Sequence, residues 1–382
     1  MASVKPYVNP SGETVWRVQF REDGKSRQVT FRDPGAEKAA HEFHALIEKF
    51  SPATALGVLA RREGHTTEAP TLRAFVDEYL DPASGMLSGI QDGTRAGYRS
   101  IANNSFLPRL GDLPVDIITK DDVAAWVTWQ ERQSSRYDPS TPIAAKTVRN
   151  YQGLLSNVFT AAVDRNLRPD NPAHKVRITT GTPREAVFLT PAQFMRLLEE
   201  IPERHKPLIV LLAATGARWG EVTALTWADI NVHTDPPTIR VNKAWKKADA
   251  GTFKIGPTKT RAGRRTIAVE APVIVRLGQR GKPGELVFRS PVSGSQVRYS
   301  HFRETVWLPA VQRADLGVTP RIHDLRHTHA SWQIARGVPL SHIRVRLGHE
   351  NITTTDGVYG HLLPDAHTQM VGTVAFLDAI EA

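Results

Sequence analysis

Apolar and polar residues alternate with the period of a β-strand in two runs near the amino terminus, at 14–20 and 26–31. Residues 22–25, Glu-Asp-Gly-Lys, supply turn chemistry between the two runs and predict a β-hairpin. A shorter run at 3–8 can add a third strand, and an apolar stripe at helical spacing predicts a helix at about 35–50. The pattern therefore predicts a small module of three strands and one helix.

The next segment loses this periodicity and then regains it as a series of helices. Residues 61–70 are polar and aperiodic, which is typical of a linker. Beyond it, apolar residues recur at helical spacing in four stretches, at about 71–80, 91–107, 119–133 and 144–164. We predict a four-helix domain that ends near residue 172.

From about residue 185 the pattern mixes helices with short strands. Thr190 is suited to be the N-cap of a helix that has a proline in its first turn. Residues 206–215 predict a nearly unbroken apolar helix, and the runs at 238–241 and 265–269 predict strands. The predicted fold is multi-domain and mainly α with small β-sheets. Its domains are a three-stranded sheet plus helix at 1–65, four helices at 66–172 and a mixed α/β domain at 173–382.

Composition narrows the kinds of partner and of functional site that the chain can have. Lys and Arg exceed Asp and Glu by 49 to 39, a net charge of +10, which favours an acidic polymer such as nucleic acid as partner. Ribosome-associated and membrane-surface proteins share this excess. The chain has no cysteine, which excludes disulfides, thiolate metal sites and a cysteine nucleophile. It has neither an apolar signal core at its start nor an 18-residue apolar run, so we expect a cytoplasmic protein.

Polar side chains on the predicted sheet and helices are candidates for contacts to DNA. A basic three-stranded sheet can enter a major groove, although an ordinary solvated sheet face has the same pattern. The outward strand positions are predicted to include Arg17, Gln19, Arg21, Arg27 and Gln28. The helical candidates are Arg95, Arg99, Lys146 and Arg149, where a merely solvated helix face is the alternative. His41 and His44 share helical spacing, but no third ligand is near enough in sequence to favour a metal site.

Arg218 follows the apolar helix directly, where an unpaired charge is costly. Glu221, three residues later, can pair with it on one helix face. The pair is either purely structural or holds an arginine rigid so that it can grip a phosphate.

His323 and Arg326 have i,i+3 spacing and can point into one pocket, while Leu325 faces the core. A metal site is the alternative, since His323, His327 and His329 are close in sequence. No carboxylate stands where a general base would complete such a site, so we do not favour it.

Lys259 lies in a basic segment at 257–265 that is predicted to be the tip or flank of a hairpin. It can contact phosphate or belong to a solvated basic loop. His349 and Tyr359 are ten positions apart, after a helix at 341–347 that Gly348 can terminate. Tyr359 is either a core aromatic or a presented nucleophile.

These residues lie in motifs that occur in a fixed order: Ala-Thr-Gly-Ala-Arg-Trp-Gly-Glu at 214–221, His-Asp-Leu-Arg-His at 323–327, Leu-Gly-His at 347–349, and Tyr359. Through them, residues 185–365 resemble the tyrosine recombinases of the phage integrase family. The two amino-terminal domains are similar in arrangement to an arm-type DNA-binding domain (1–65) and a core-binding domain (66–172), which leaves 173–382 as a catalytic domain with a carboxy-terminal tail.

The resemblance implies a chemistry without metal or cofactor. Tyr359 is implied as the nucleophile on a DNA phosphodiester, Arg218 and Arg326 as ligands of the non-bridging oxygens, and Lys259 as the general acid. Lys254 is a near neighbour that makes this last assignment the least secure. His323 is implied to assist proton transfer at the tyrosine, His349 to donate to phosphate, and Glu221 to orient its neighbours.

The resemblance also implies partners. They are duplex DNA with core-type and arm-type attachment sites, three further copies of the chain in a tetramer that passes through a Holliday junction, an excisionase and a host DNA-bending protein, with no membrane. The expected biological role is integration of a phage or mobile element in a bacterial host, at the nucleoid. Two rivals are a type IB topoisomerase, which relaxes DNA without exchange, and a DNA-binding regulator on an inactive recombinase fold.

Overall fold

The amino-terminal strands form the predicted antiparallel sheet. A computed structural model describes residues 2–22, 24–32, 34–62, 69–135, 139–181, 185–248, 252–258 and 260–350. Its first sheet has the order β1 (Ser3–Val8), β2 (Thr14–Glu22), β3 (Lys25–Phe31) and is followed by α1 (Ala36–Lys49). Val18, Phe20, Ala40 and Phe43 are buried between the sheet and the helix. The strands and helix predicted from the alternation are therefore confirmed.

A second helix, α2 (Pro52–Arg62), follows directly and was not predicted. Ala55 packs on the first core, whereas Val58 packs on the core of the next domain. Gly57 lies so close to the helical domain that an added Cβ would come within 2.9 Å of Ile117 Cγ2. Because both faces of α2 are occupied, it has no single apolar stripe for a periodicity search to find.

Strand register divides the predicted DNA-contacting positions between the two faces of the sheet. Arg17 pairs with Thr30, and Gln19 with Gln28, so these side chains share the face opposite α1. Arg27 instead pairs with Phe20, on the face that packs against α1, and its Nε lies 2.7 Å from Glu22 Oε2. The prediction that Arg27 and Gln28 both point outward is therefore wrong, because successive side chains of a strand point to opposite faces.

The four predicted helices of the second domain are confirmed, and one short helix is added. They are α3 (Leu72–Tyr79), α4 (Asp92–Asn104), the added α5 (Leu107–Leu110), α6 (Lys120–Glu131) and α7 (Ala145–Asp164). Thr71 and Thr119 cap α3 and α6 through their hydroxyls. Phe75, Phe106, Trp126 and Phe159 are completely buried in this bundle.

A buried carboxylate joins α2 to this bundle. Asp122, 2% exposed, accepts hydrogen bonds from the Ser51 N–H (2.6 Å), the Thr119 N–H (2.8 Å) and the Thr119 hydroxyl (2.7 Å). The Thr54 hydroxyl donates to it as well. The same carboxylate therefore caps α6 and holds the turn before α2.

Residues just beyond the predicted end of the helical domain still belong to it. Ala173 is completely buried in the bundle core, and its carbonyl accepts a hydrogen bond from Gln152 Nε2 at 2.6 Å. The Thr179 N–H donates to Glu131 Oε1 at 2.8 Å. Contacts divide the chain into two units, 1–183 and 184–382, and residues 173 and 179 contact the helices of the first.

The second unit begins with the helices predicted from Thr190 and from the apolar run. Thr190 forms a capping box with Gln193 at the start of α8 (Pro191–Glu200), and α9 (Lys206–Thr215) ends at Gly216. The remaining helices in the described residues are α10 (Trp219–Val222), α11 (Ala271–Val275), α12 (Tyr299–Phe302), a π-helical turn (Arg303–Trp307), α13 (Leu308–Ala314), α14 (Asp324–Ala335) and α15 (Leu340–Leu347).

Two small sheets complete this unit. The first has the order β4 (Ile230–Asn231), β5 (Thr238–Val241), β8 (Arg265–Ala268), and the second is a hairpin of β6 (Lys243–Lys247) and β7 (Phe253–Pro257). The predicted strands at 238–241 and 265–269 are thus confirmed, with the second ending one residue early. Across the described residues of both units, no helix is long and apolar enough to cross a membrane.

Candidate active site

The site is built on the carboxyl end of α9. Gly216 ends this helix in the left-handed region, with φ of 63°. A Cβ at this position would lie 2.7 Å from Leu347 Cδ2 and 2.8 Å from His329 Cδ2, so glycine is required for both conformation and space. The Gly216 carbonyl accepts a hydrogen bond of 2.8 Å from Arg326 Nη1. The turn therefore contacts both α14 and α15, the two elements that carry or precede the predicted histidines.

Arg218 and Glu221 form the pair that their spacing predicts. Arg218 Nη1 lies 3.0 Å from Glu221 Oε1, and the Arg218 N–H donates to Glu221 Oε2 at 2.9 Å, as in the return half of a capping box. Glu221 is 3% exposed, whereas the Arg218 side chain keeps 44% of its surface accessible. The buried carboxylate thus holds an arginine whose guanidinium still faces solvent.

A second arginine, Arg265 on β8, completes the arrangement around Glu221. Arg265 Nη2 lies 3.0 Å from Glu221 Oε2, and its side chain is 5% exposed. Burial alone would raise the pKa of Glu221, but Arg265 and Arg218 hold it below its usual value. Sequence reasoning noted Arg265 only as one basic residue of the 257–265 segment, because nothing in the local spacing connects β8 to Glu221.

His323 is the N-cap of α14, and Arg326 lies in the first turn of that helix. Arg326 is 3% exposed, and Leu325 is completely buried on the core side. The rings of His323 and His327 are 5.2 Å apart, edge to face. Partial burial, then His327 and Arg326, lower the pKa of His323 to about 4, although one side of the residue remains exposed. At neutral pH the ring is therefore neutral.

His349 follows α15 after Gly348, which ends that helix in the left-handed region with φ of 70°, as predicted. A Cβ on Gly348 would lie 2.9 Å from the Ala262 carbonyl oxygen, so the chain before His349 is pressed against the 260–263 turn. Burial, then Arg326 and Arg218, lower the pKa of His349 to about 4. Arg326 and Arg218 are thus among the groups that lower the pKa of both His349 and His323.

Two of the predicted residues, Lys259 and Tyr359, lie outside the described residues. The alternative general acid, Lys254, lies on β7 opposite Lys246, inside the hairpin. Thr258, the residue before Lys259, is buried, and a Cβ on Gly263 would lie 2.9 Å from Thr258 Cβ. Thr258 and Gly263 are thus packed closely against each other.

The histidine cluster does not form a metal site. Within the described part of the chain, no group of three His, Asp or Glu residues is placed to hold an ion. His329 Nδ1 lies 2.8 Å from the Ala213 carbonyl, and Nε2 lies 2.9 Å from Arg346 Nε. Both ring nitrogens are used, so the weighed alternative of a His323–His327–His329 site is wrong.

The helical candidates for DNA contacts differ in their surroundings. Arg95 donates to the carbonyls of Leu80 (2.8 Å) and Leu87 (3.2 Å), and Arg99 pairs with Asp77 at 2.7 Å. Lys146 and Arg149 are exposed on α7. Arg95 therefore has a structural role, which a charge on a helix face did not reveal in sequence.

Comparison with known proteins agrees with this site. Residues 187–365 match the model of the phage integrase family. The chain is 26% identical over 272 residues to the ICEBs1 integrase of Bacillus subtilis, covering 67% of this chain and 72% of that protein. It is 27% identical over 327 residues to an integrase of Streptomyces ambofaciens, covering 79% and 80%.

Solved structures show the same fold. The Tn1549 transposon integrase, solved with transposon right end DNA, aligns with a TM-score of 0.64 and 20% identity over 82% of this chain and all of that one. The lambda integrase, solved as a tetramer on a Holliday junction, aligns with a TM-score of 0.57 and 18% identity over 94% and 95%. The family motifs, the described site around α9 and these comparisons lead to one conclusion: residues 187–365 are a domain of the phage integrase family, and the chain is a tyrosine recombinase.

Proposed function

We propose that this recombinase cleaves and rejoins duplex DNA through a 3′-phosphotyrosyl intermediate and a Holliday junction, and thereby integrates a phage or mobile element. One observation carries the proposal: Arg218, Arg326, His323 and His349 converge on the carboxyl end of α9, where burial first, and then neighbouring positive groups that include both guanidinium groups, lower the pKa of both histidines to about 4. Such concentrated positive charge suits an anionic substrate.

The arginines supply the electrostatic part of catalysis. Negative charge grows on the non-bridging oxygens as the phosphodiester becomes pentacoordinate, and a guanidinium fork can donate two hydrogen bonds to such oxygens. Arg326 is fixed by its bond to the Gly216 carbonyl, and Arg218 by its bond to Glu221. Both forks are therefore pre-oriented, and less freedom is lost when the phosphate binds.

The two histidines have different parts once the phosphate is bound. An anion nearby favours the protonated ring, so substrate binding raises the pKa of His349 from about 4, whereas a His323 ring that stays neutral can accept the proton that Tyr359 loses. His349 then donates to a phosphate oxygen, and His323 assists proton transfer at the attacking tyrosine.

Tyr359 and Lys259 complete the reaction. The Tyr359 oxygen loses its proton and bonds to phosphorus, the bond from phosphorus to the 5′-oxygen breaks, and Lys259 protonates that oxygen as it leaves. The phosphotyrosyl bond conserves the energy of the phosphodiester. The 5′-hydroxyl of a partner strand can therefore reverse the step without ATP or another cofactor.

The other domains direct this chemistry to attachment sites. The sheet face with Arg17, Gln19 and Gln28 reads arm-type DNA, and the helical domain, with Lys146 and Arg149 exposed, contacts core-type DNA. Four copies act together on the paired sites, and an excisionase and a host bending protein control direction. The similarity in fold to integrases solved on DNA supports this organisation.

A nicked suicide substrate tests the reaction. We expect a protein–DNA adduct that resists denaturation with the unaltered chain and none with Tyr359→Phe. Absence of the adduct with the unaltered chain would refute the proposal and favour a DNA-binding regulator. Relaxation of supercoiled DNA without any recombinant from paired sites would favour a type IB topoisomerase.

Arm-site reading is better tested by substitution than by truncation. Removing residues 1–65 would also remove Ser51 and Thr54, which hydrogen-bond the buried Asp122 of the helical domain. Gln19→Ala combined with Gln28→Ala alters only the exposed sheet face. We expect weaker binding to arm-type DNA and unchanged cleavage of a core site; unchanged arm binding would contradict the assignment.

A further inference from the structure

Three side chains from α14 and α15 satisfy the last carbonyls of α9. The Ala213 carbonyl accepts a hydrogen bond from His329 Nδ1 (2.8 Å), and the Ala214 carbonyl accepts one from Arg346 Nη2 (3.0 Å). The Gly216 carbonyl accepts from Arg326. Carbonyl groups at a helix end have no partner within the helix and carry partial negative charge. The two residues that the proposed chemistry leaves unused, His329 and Arg346, therefore take part in the same cap as the catalytic candidate Arg326.

All three guanidinium nitrogens of Arg346 donate hydrogen bonds, and they join α9, α14 and β8. Besides the bond to α9, Nη1 donates to the Ala268 carbonyl at the end of β8 at 3.0 Å, and Nε donates to His329 Nε2 at 2.9 Å. Since arginine can only donate, His329 Nε2 must accept, and its hydrogen is on Nδ1, facing Ala213. This arrangement fixes the tautomer of His329 and the orientation of both side chains.

The backbone of Arg346 is held as firmly as its side chain. Its carbonyl accepts a hydrogen bond of 2.6 Å from Arg265 Nε, and Arg265 also binds Glu221, the partner of Arg218. His349 comes only three residues later, after Gly348 has turned the chain, and its N–H donates to the Arg344 carbonyl at 3.1 Å. A continuous path of polar contacts thus leads from the catalytic candidates Arg218 and Arg326 to the backbone that presents His349.

We propose that His329 and Arg346 are positioning residues for strand cleavage: they fix the end of α15 on the end of α9 and so place His349 against the phosphate that Arg218 and Arg326 bind. The inference rests on the proposed function. Apolar side chains of similar size could fill the same volume, but only directional hydrogen bonds to Ala213, Ala214 and Ala268 determine how α15 is rotated and how far it slides along α9.

Variants of the full chain separate positioning from mere stability. His329→Phe and Arg346→Leu each leave a buried polar partner unsatisfied, while the double variant leaves an apolar pair. The measurements are thermal stability, DNA affinity, the single-turnover rate of adduct formation at saturating suicide substrate, and the pKa of His349 from the NMR signals of labelled histidine in the free protein.

We expect both single variants to form the adduct about 100-fold more slowly, with DNA affinity changed less than threefold, since small misplacements of catalytic groups have effects of this order. In each, the pKa of His349 should move from about 4 toward its ordinary value of 6.5 as the ring leaves the arginines. The double variant leaves neither side chain of the pair unpaired but still removes the donors to Ala213, Ala214 and Ala268, so it should recover only part of the thermal stability and neither the rate nor the low pKa.

The conservative variant His329→Asn keeps one donor and one acceptor and should recover most of the rate. Arg168→Leu is a matched control, because Arg168 is also a buried arginine that donates to carbonyls, those of Val115 (2.5 Å) and Ile118 (3.1 Å), but in the helical domain. It should lower stability and leave the pKa of His349 unchanged.

A double variant with the unaltered rate and the unaltered pKa of His349 would overturn the proposal, as would single variants that lose stability alone. If the double variant does not fold, His329→Asn decides: a rate as low as that of His329→Phe contradicts positioning. If the unaltered chain forms no adduct, the proposed function fails, and the pKa comparison still tests whether the pair places His349.

Discussion

A buried carboxylate of the first unit and one of the second occupy the same position in the same local motif but have different partners. Asp122 and Glu221 are 2% and 3% exposed, and each is the third residue of a helix whose N-cap N–H donates back to it. Apart from this bond, the hydrogen-bond donors to Asp122 are neutral groups, namely the hydroxyls of Thr54 and Thr119 and the Ser51 N–H. Glu221 is instead served by two guanidinium groups, from Arg218 and Arg265.

The difference shows what each carboxylate is for. Neutral donors can rotate to satisfy a carboxylate and leave no further charge behind, so Asp122 joins α2 to the helical domain and nothing in its surroundings requires a ligand. The arginines around Glu221 bring two positive charges for one negative charge. The excess remains on Arg218, whose side chain is 44% exposed, and is available to an anion. The same kind of helix cap therefore stabilises the first unit, at Asp122, and orients a charged side chain in the second, at Glu221.

The largest expected effect is on catalysis, in Glu221→Gln. The amide cannot accept from both arginines as the carboxylate does, so Arg218 is no longer held and Arg265 is buried without a full counter-charge. We expect the rate of adduct formation to fall about 100-fold or more, as for other misplaced catalytic groups. Single-turnover assays with a suicide substrate at saturating concentration measure it.

Asp122→Asn is the matched control for that substitution. It should change the same rate less than threefold at a temperature at which the chain stays folded. Equal losses in the two variants would mean that Glu221 acts only as a structural cap, and the contrast between the two carboxylates would disappear.

The second prediction concerns the stability of the first unit. There Asp122→Asn should have the larger effect and Glu221→Gln the smaller. Asparagine has one acceptor oxygen, so one of the two backbone N–H groups that Asp122 serves, of Ser51 and Thr119, loses its partner. We expect the first unit to lose about 1–3 kcal/mol of stability, the usual cost of a buried unsatisfied group. Hydrogen exchange with mass spectrometry reports each unit separately. Unchanged protection of α2 and α6 would contradict the role assigned to Asp122.

Sequence reasoning recovered elements whose signal is local. The strands of the first sheet, the caps Thr190 and Gly348, and the Arg218–Glu221 pair all depend on residues within a few positions of one another. The motif order also identified the family. Ala173, just beyond the predicted end of the helical domain, is buried by contacts with the distant α7, which no local composition shift marks.

What sequence could not supply are the contacts made across long separations. Arg265 reaches Glu221 over 44 residues, and Arg346 reaches Ala214 over 132. His329 was weighed only as one histidine of a metal site that we did not favour, because histidines two to six residues apart are common in such sites, whereas its actual partner, Arg346, lies 17 residues away. Helix α2 was missed for a related reason, since its two faces are buried by two different cores.

The third prediction uses pH to distinguish the two units. Burial, then Arg346, lower the pKa of His329 to about 3 in the folded chain, whereas the unfolded chain titrates near 6.5. Between these values only the unfolded chain binds the proton, so stability rises with pH up to about 6.5 and is then constant. At pH 5.5 the second unit should be less stable than at pH 7.5 by about 1 kcal/mol from this group.

Protection factors from hydrogen exchange, which are corrected for the intrinsic effect of pH, measure the change. The double variant His329→Phe, Arg346→Leu lacks the titrating ring and should show a smaller loss. A loss of the same size in the variant would show that other groups cause it.

The smallest expected effect comes from a third carboxylate, Glu22, whose arginine partner lies on the surface. The Arg27 side chain is 56% exposed, and ion pairs of this kind contribute about 0–1 kcal/mol. Arg27 also lies on the sheet face opposite Gln28, so Arg27→Ala should change stability by less than about 1 kcal/mol and leave affinity for arm-type DNA within twofold.

Arg21 lies on the other face, opposite Ser26, and is the matched residue for comparison. Arg21→Ala should reduce the salt dependence of arm binding by about one phosphate contact. The reverse result, in which Arg27→Ala and not Arg21→Ala reduces the salt dependence, would assign DNA reading to the side of the sheet near α1. The Glu22 carboxylate would then orient Arg27 toward DNA, as Glu221 is proposed to orient Arg218.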